Sequence, residues 1–210
     1  MDKNKVKFGL NKVHWAKILS YDEDGTPVYA PPVRLPGAVS LSIDASGENE
    51  PFYADNCVYY MCNNNAGYEG DIEIALVTTD FATEILGQKL DSKGVLVERS
   101  DAEVSEFALF FEFEGDKHKI RHVMYRCSVA RPATESATTE DSKEVKTESL
   151  TLTASVLENG LVKSKSCEET DETVYNNWYT AVYMPTLPGA AATTAAPVAA
   201  KTTTTTKTGS

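Results

Sequence analysis

Apolar and polar residues alternate with a period of two along several stretches of this chain, which is the mark of half-buried strands. Val39, Leu41 and Ile43 alternate with Ser40, Ser42 and Asp44. Ile72, Ile74 and Leu76 face away from Asp71, Glu73 and Ala75. Leu150, Leu152 and Ala154 alternate with Thr147, Ser149, Thr151 and Thr153 along 146–155. A first strand is expected within 6–19, a Pro-blunted return over 28–33, and a small turn and strand over 90–97. The segment 106–114 sets Phe107, Leu109, Phe111 and Phe113 on one face, with Ala108, Phe110, Glu112 and Glu114 on the other. Gly115-Asp116 then turns the chain into a long strand over 117–130, the clearest hairpin in the sequence.

Two helices interrupt this pattern. Thr79 or Asp80 caps a short one that ends at Gly87, with the pairs Phe81/Ile85 and Ala82/Leu86 on its apolar side. The second is expected over 171–183, with Val174, Trp178 and Ala181 on one face. Tyr-rich 52–62 has strand propensity. The polar stretches 45–55 and 133–145 are too long for tight turns and are expected to project as loops. Residues 1–186 thus form one mainly β domain with one or two short helices, and 187–210 is an Ala/Thr/Pro-rich tail without a core-forming pattern.

Composition narrows the function. With 41% hydrophobic residues the chain can build a core without disulfide staples. No apolar run reaches the ~18 residues of a membrane span, and the N-terminal stretch lacks the apolar region of a signal peptide. The formal net charge is −11; the tail holds Lys201, Lys207 and no acid, which leaves −13 on residues 1–186. Such a body does not grip nucleic acid through phosphate neutralisation.

The sequence carries no Walker A, dinucleotide or nucleophile-elbow pattern. Cys57 and Cys62 fall on opposite faces of one continuous strand, roughly 16 Å apart, and His118 and His122 stand roughly 13 Å apart, so neither pair holds a metal alone. Asp71/Glu73 and Glu112/Glu114 are same-face neighbours on strands, a spacing of solvated faces rather than of carboxylates held across a cleft. No catalytic residue, metal or cofactor is expected. Tyr53, Tyr59, Tyr60 and Tyr68 suit either packing inside the fold or a subunit interface.

The block 51–87, with NKVKFGLNKVHWAKI, PGAVSLSIDASGENEPFYADN, NNNAGYEGDIEIALV, FALFFEFEGDKHKIRHVMYRCSVARP, TESLTLTAS and YNNWYTAVYMP around it, resembles the major tail protein of long-tailed, non-contractile bacteriophages, the phi13-like group. FATEILG and GVLVE belong to the same likeness, which covers most of residues 4–185 in order. The resemblance implies a β-sandwich tail tube fold with long projecting loops, whose strands join an intersubunit β-barrel. It implies a structural virion protein, not an enzyme, that forms rings, usually hexameric. These stack into a tube around the tape-measure protein and conduct DNA at ejection. The implied partners are further copies of the chain, the tape-measure protein, the tail terminator, and baseplate or distal tail proteins, with DNA passing without tight binding and no membrane. The implied location is the virion tail, assembled in the host cytoplasm. Some relatives carry a C-terminal immunoglobulin-like domain, where this chain has only its low-complexity tail. The rival reading is a monomeric β-sandwich module that binds carbohydrate or a host surface.

On that resemblance, Asp71, Glu73, Glu112 and Glu114 are candidate lumen-facing acids, with the tube exterior as the other place for them. Ser46, Gly47, Glu48, Asn49, Glu50, Phe52 and Tyr53 are the candidate intersubunit loop.

Overall fold

The computed structural model describes residues 9–47, 49–114, 119–132 and 146–186. The expected turn at Gly115-Asp116, His118, Glu48, the 133–145 loop and the 187–210 tail lie outside the described residues. The described chain runs β1 (Leu10–Tyr21), β2 (Pro27–Tyr29), β3 (Val33–Arg34), β4 (Ala38–Ser46), β5 (Asn49–Ala54), β6 (Cys57–Asn63), β7 (Gly67–Ile74) and α1 (Thr79–Glu84). It continues with β8 (Lys89–Leu90), β9 (Leu96–Val97), β10 (Phe107–Phe113), β11 (Arg121–Val129), β12 (Glu148–Ala154), β13 (Lys163–Lys165) and α2 (Glu172–Asn176). The fold is mainly β.

One antiparallel sheet dominates, in the order β2-β1-β10-β11-β12-β7-β4, with β3 beside β1 and β13 beside β11. β1 and β4, far apart in that order, also touch, so the sheet is rolled on itself. Its inner face holds the main core: Trp15, Leu109, Met124, Leu150, Leu152, Ile72 and Ile74 among others. α1 plugs this core with Phe81, whose ring stands edge-on to Trp15 at 5.7 Å and to Phe107 at 5.6 Å. Such aromatic pairs contribute ~0.5–1.5 kcal/mol each beyond their burial. Thr78, one residue before the expected cap, accepts the Phe81 N–H at 3.3 Å.

The outer face of the sheet divides in two. Over β1, β10 and β11 it is apolar: Ala16, Ala108, Phe110, Val123 and Tyr125 pack under Leu157 and Trp178. β10 is therefore buried on both faces, not on one as the alternation suggests. The second helix is shorter than expected and stops at Asn176. The chain leaves the helix so that Trp178 can turn into this layer, where its indole N–H donates to the His122 carbonyl at 3.4 Å. The Tyr125 hydroxyl then anchors the Tyr183 carbonyl at 3.0 Å.

Several other expectations need correction. The 45–55 stretch is not a loop: β4 continues to Ser46, and Asn49–Ala54 pairs with Cys57–Asn63 as a hairpin. Val39 does not face the core, because a bulge between Ala38 and Ser40 turns it to solvent. Leu76 is exposed, because β7 ends at Ile74 and the next turn is tied down by the Glu148 carboxylate on the Val77 N–H at 2.6 Å.

Gly70 sits in the middle of β7, between Ile43 of β4 and Leu152 of β12. A Cβ there would lie 1.9 Å from the Ser42 carbonyl oxygen and 2.8 Å from the Ile43 Cα. Backbone cannot yield as a flexible side chain does. Gly70→Ala is expected to force β4 away from β7 at a cost of about 3 kcal/mol, the upper range of overpacking. Urea unfolding measures it, and a midpoint like that of the wild type would refute the close approach.

Candidate functional site

The remaining outer face, over β12, β7 and β4, is polar and largely exposed among the described residues. Strand register lines its side chains up in three rows. Ser40 lies beside Glu73 and Glu73 beside Ser149; Ser42 beside Asp71 and Asp71 beside Thr151; Asp44 beside Glu69 and Glu69 beside Thr153. Small hydroxyls flank the acids in the first two rows. The Thr151 hydroxyl donates to Asp71 Oδ1 at 3.0 Å, Ser40 to Glu73 Oε2 at 2.8 Å, and Thr147 to Glu73 Oε1. Donation from Thr147 and then Ser40 holds the Glu73 carboxyl below the ordinary carboxylate range. None of the nine row positions carries a cation. Alternation on β7 singles out Asp71 and Glu73; Glu69, two residues earlier on the same strand face, and Asp44 on the neighbouring strand complete the patch.

Glu112 and Glu114 do not belong to it. The placement of Glu112 on an open lumen face is corrected: it is only 3% exposed. Lys12 Nζ lies 3.0 Å from one of its oxygens, and the Tyr179 hydroxyl donates to the other at 3.0 Å. The Arg121 Nε stands 3.7 Å away. Arg121 itself stacks on the Tyr175 ring, 3.8 Å from its centroid, and donates to the Tyr175 carbonyl. Burial, followed by the Glu112 charge, pushes the Tyr179 hydroxyl well above the usual phenol range. His14 stacks on Tyr179 at 4.5 Å, and burial holds its ring below the usual imidazole range. This cluster clamps the C-terminal segment to the sheet. Glu114 is exposed just after β10, where its N–H donates to the Gly9 carbonyl.

The second feature is the arm formed by β5 and β6. It prolongs the β4–β7 ladder past Gly47, whose φ of +130° and contact with the Asn64 carbonyl leave no room for a Cβ. Asp55 and Asn56 turn its tip with φ of 52° and 58°. Two consecutive positive values match the twist of a two-residue hairpin, and Asp and Asn tolerate them. Among the described residues the arm pairs with no other strand. Tyr53, Tyr59 and Tyr60 are 64%, 71% and 63% exposed, so the arm tyrosines are not buried among the described residues. Ser46, Gly47, Asn49, Glu50, Phe52 and Tyr53 fall at the base and along β5. Cys57, in the tip's first β6 position, is an exposed thiol, whereas burial pushes the Cys127 thiol up to about 12.

The third feature is an open edge. Among the described residues β4 pairs only with β7; β1 approaches its other side without pairing, which leaves strand-pairing groups there unused. Among the described residues no group of three or more His, Cys, Asp or Glu is arranged to hold a metal ion. No helix among them is long and apolar enough to cross a membrane. Comparison with protein-family models and with curated proteins returns no match.

Proposed function

We propose that this chain is the tail tube subunit of a long-tailed, non-contractile phage. In this reading it self-assembles into rings, hexameric by the resemblance, that stack into the conduit for DNA. The observation that carries the reading is the polar β12–β7–β4 face. A pore that passes a polyanion needs a wall that does not trap phosphates. Three rows of acids and small hydroxyls, without a cation, supply one.

Two further features support assembly. The unpaired edge of β4 would template pairing with another copy if left uncovered. A two-stranded hairpin such as the arm is marginal alone and gains stability by packing on something. In this reading the strands of the polar face join an intersubunit barrel and complete a sandwich-type tube fold. Each ring contacts its own kind, the tape-measure protein inside, and terminator and baseplate or distal tail proteins at the tube's ends. Assembly takes place in the host cytoplasm and the product sits in the virion tail.

Negative-stain microscopy of the concentrated full chain tests the reading. Rings or tubes are expected. A chain that stays monomeric at every concentration, with the tape-measure protein present, would instead favour a binding module whose exposed tyrosines stack on sugars or a host surface.

A further inference from the structure

A groove of about 480 Å³ runs between β1, the 30–33 segment and α1. Trp15, Leu19, Pro31 and Val33 form its apolar side, and Lys17 and Glu84 lie along its rim, joined at 2.9 Å. Resting on the assembly reading above, we propose that this groove is the seat of the β5–β6 arm of a second copy of the chain.

The arm's pattern fits a two-walled seat. The cross-strand pairs Tyr53–Val58 and Pro51–Met61 share one face, and Tyr60 stands on the other. Tyr53, Val58, Tyr60 and Met61 are all exposed, so both faces offer apolar surface. A flat partner would cover one face and leave the other wet. At ~150–250 Å² per aromatic side chain, the three tyrosines offer on the order of 400 Å². That is about half of the ~800 Å² that one partner contributes to a standard interface. Tyrosine also suits the chemistry of the walls: its ring lies on Leu19 and Pro31, and its hydroxyl reaches carboxylates such as Asp80 and Glu84 on α1.

Position decides which copy is the occupant. The groove is built from segments adjoining one end of the β4–β7 ladder: Val33 and Arg34 precede Ala38, and α1 follows Ile74. The arm leaves from the other end, at Ser46 and Gly67. At strand rise these ends are roughly 26 Å apart, and the arm extends roughly 20 Å further. No described side chain of the arm lines its own chain's groove. Donor and acceptor at opposite ends of one element make a head-to-tail contact, which closes into a ring or continues as a filament.

The test uses two variants of the full chain. Tyr59→Ser with Tyr60→Ser disables the arm and keeps the groove. Leu19→Glu with Val33→Glu disables the groove and keeps the arm; Leu19→Glu alone, at a side chain 62% exposed, is the milder version that leaves folding untouched. Thermal melts confirm that each is folded. At a concentration where the wild type is assembled, each variant alone is expected to sediment as a monomer. Their mixture is expected to stop at a one-to-one heterodimer, because only one competent arm and one competent groove remain per pair. Leu19→Glu alone is expected to raise the assembly midpoint at least tenfold. Groove variants that assemble like the wild type, or a mixture that stays monomeric, overturn the seating while leaving the tube reading intact. A wild type that never assembles overturns both.

Discussion

Glu112→Ala is expected to lower the stability of the chain by about 3 kcal/mol or more, the range for removing one partner of a buried ion pair. Lys12 is 39% exposed and can turn to water, but Arg121 is 13% exposed and is left with its charge poorly compensated. Tyr179 loses its acceptor in the same step. For a domain of this size the melting temperature should fall by roughly 6–12 °C, at ~2–4 °C per kcal/mol. Because the cluster clamps Tyr175 and Tyr179, limited proteolysis within 171–186 should accelerate as well. Glu114→Ala, at an exposed position two residues on, should stay within about 0.5 kcal/mol of the wild type. Equal and small effects in the two variants would show that Glu112 is not part of a clamp. The same geometry removes Glu112 from any test of a pore wall, since a lysine there would meet Lys12 and Arg121 and break the fold.

Asp71→Lys and Glu73→Lys are the substitutions expected to act on transport. Asp71 is exposed and bonded only to the Thr151 hydroxyl among the contacts described, so the subunit should fold and assemble. In a tube, the new cation recurs in every subunit of every ring, and each copy attracts passing phosphates. An added barrier of ~1.4 kcal/mol slows a step tenfold. DNA ejection is expected to slow by about that factor at low ionic strength and to recover as salt screens the charges. Intact tubes with wild-type ejection kinetics in both variants would place these acids on the exterior, where they serve solubility.

The strand β12 is fully legible in the sequence, because strict alternation of Leu150, Leu152 and Ala154 with hydroxyl residues has one reading. α1 is legible for a similar reason: Phe81, Ala82, Ile85 and Leu86 recur at helical spacing and all four are buried. Glu112 is not legible. An acid at the end of a strand looks like a solvated face, and its partners are set by register with β1 and β11. The clue lies in Ala108 and Phe110, which make both faces of β10 apolar and so imply a second covering layer. The arm is half legible. Its β-branched and aromatic residues announce strands, but Asp55-Asn56 lacks the Gly that usually marks a two-residue turn. The groove is invisible in the sequence, since its walls meet only through packing between β1, the 30–33 segment and α1.

The strand order has a consequence for how the chain is made. β1 waits for β10, and β7 waits for β12, each separated from its partner by a large part of the chain. Contacts of such long range form slowly, because closing the loop costs entropy before pairing returns any stabilisation. The arm needs only its own two-residue turn, and hairpins of this kind close in ~1–10 μs. α1 is held by Phe107 and Trp15, so the groove beside it is complete only after β10 has been synthesised and docked. A nascent chain therefore carries its arm before its groove is complete. If the arm seats in the groove of a second copy, growth of the assembly is timed by the slowest β pairing in each new subunit.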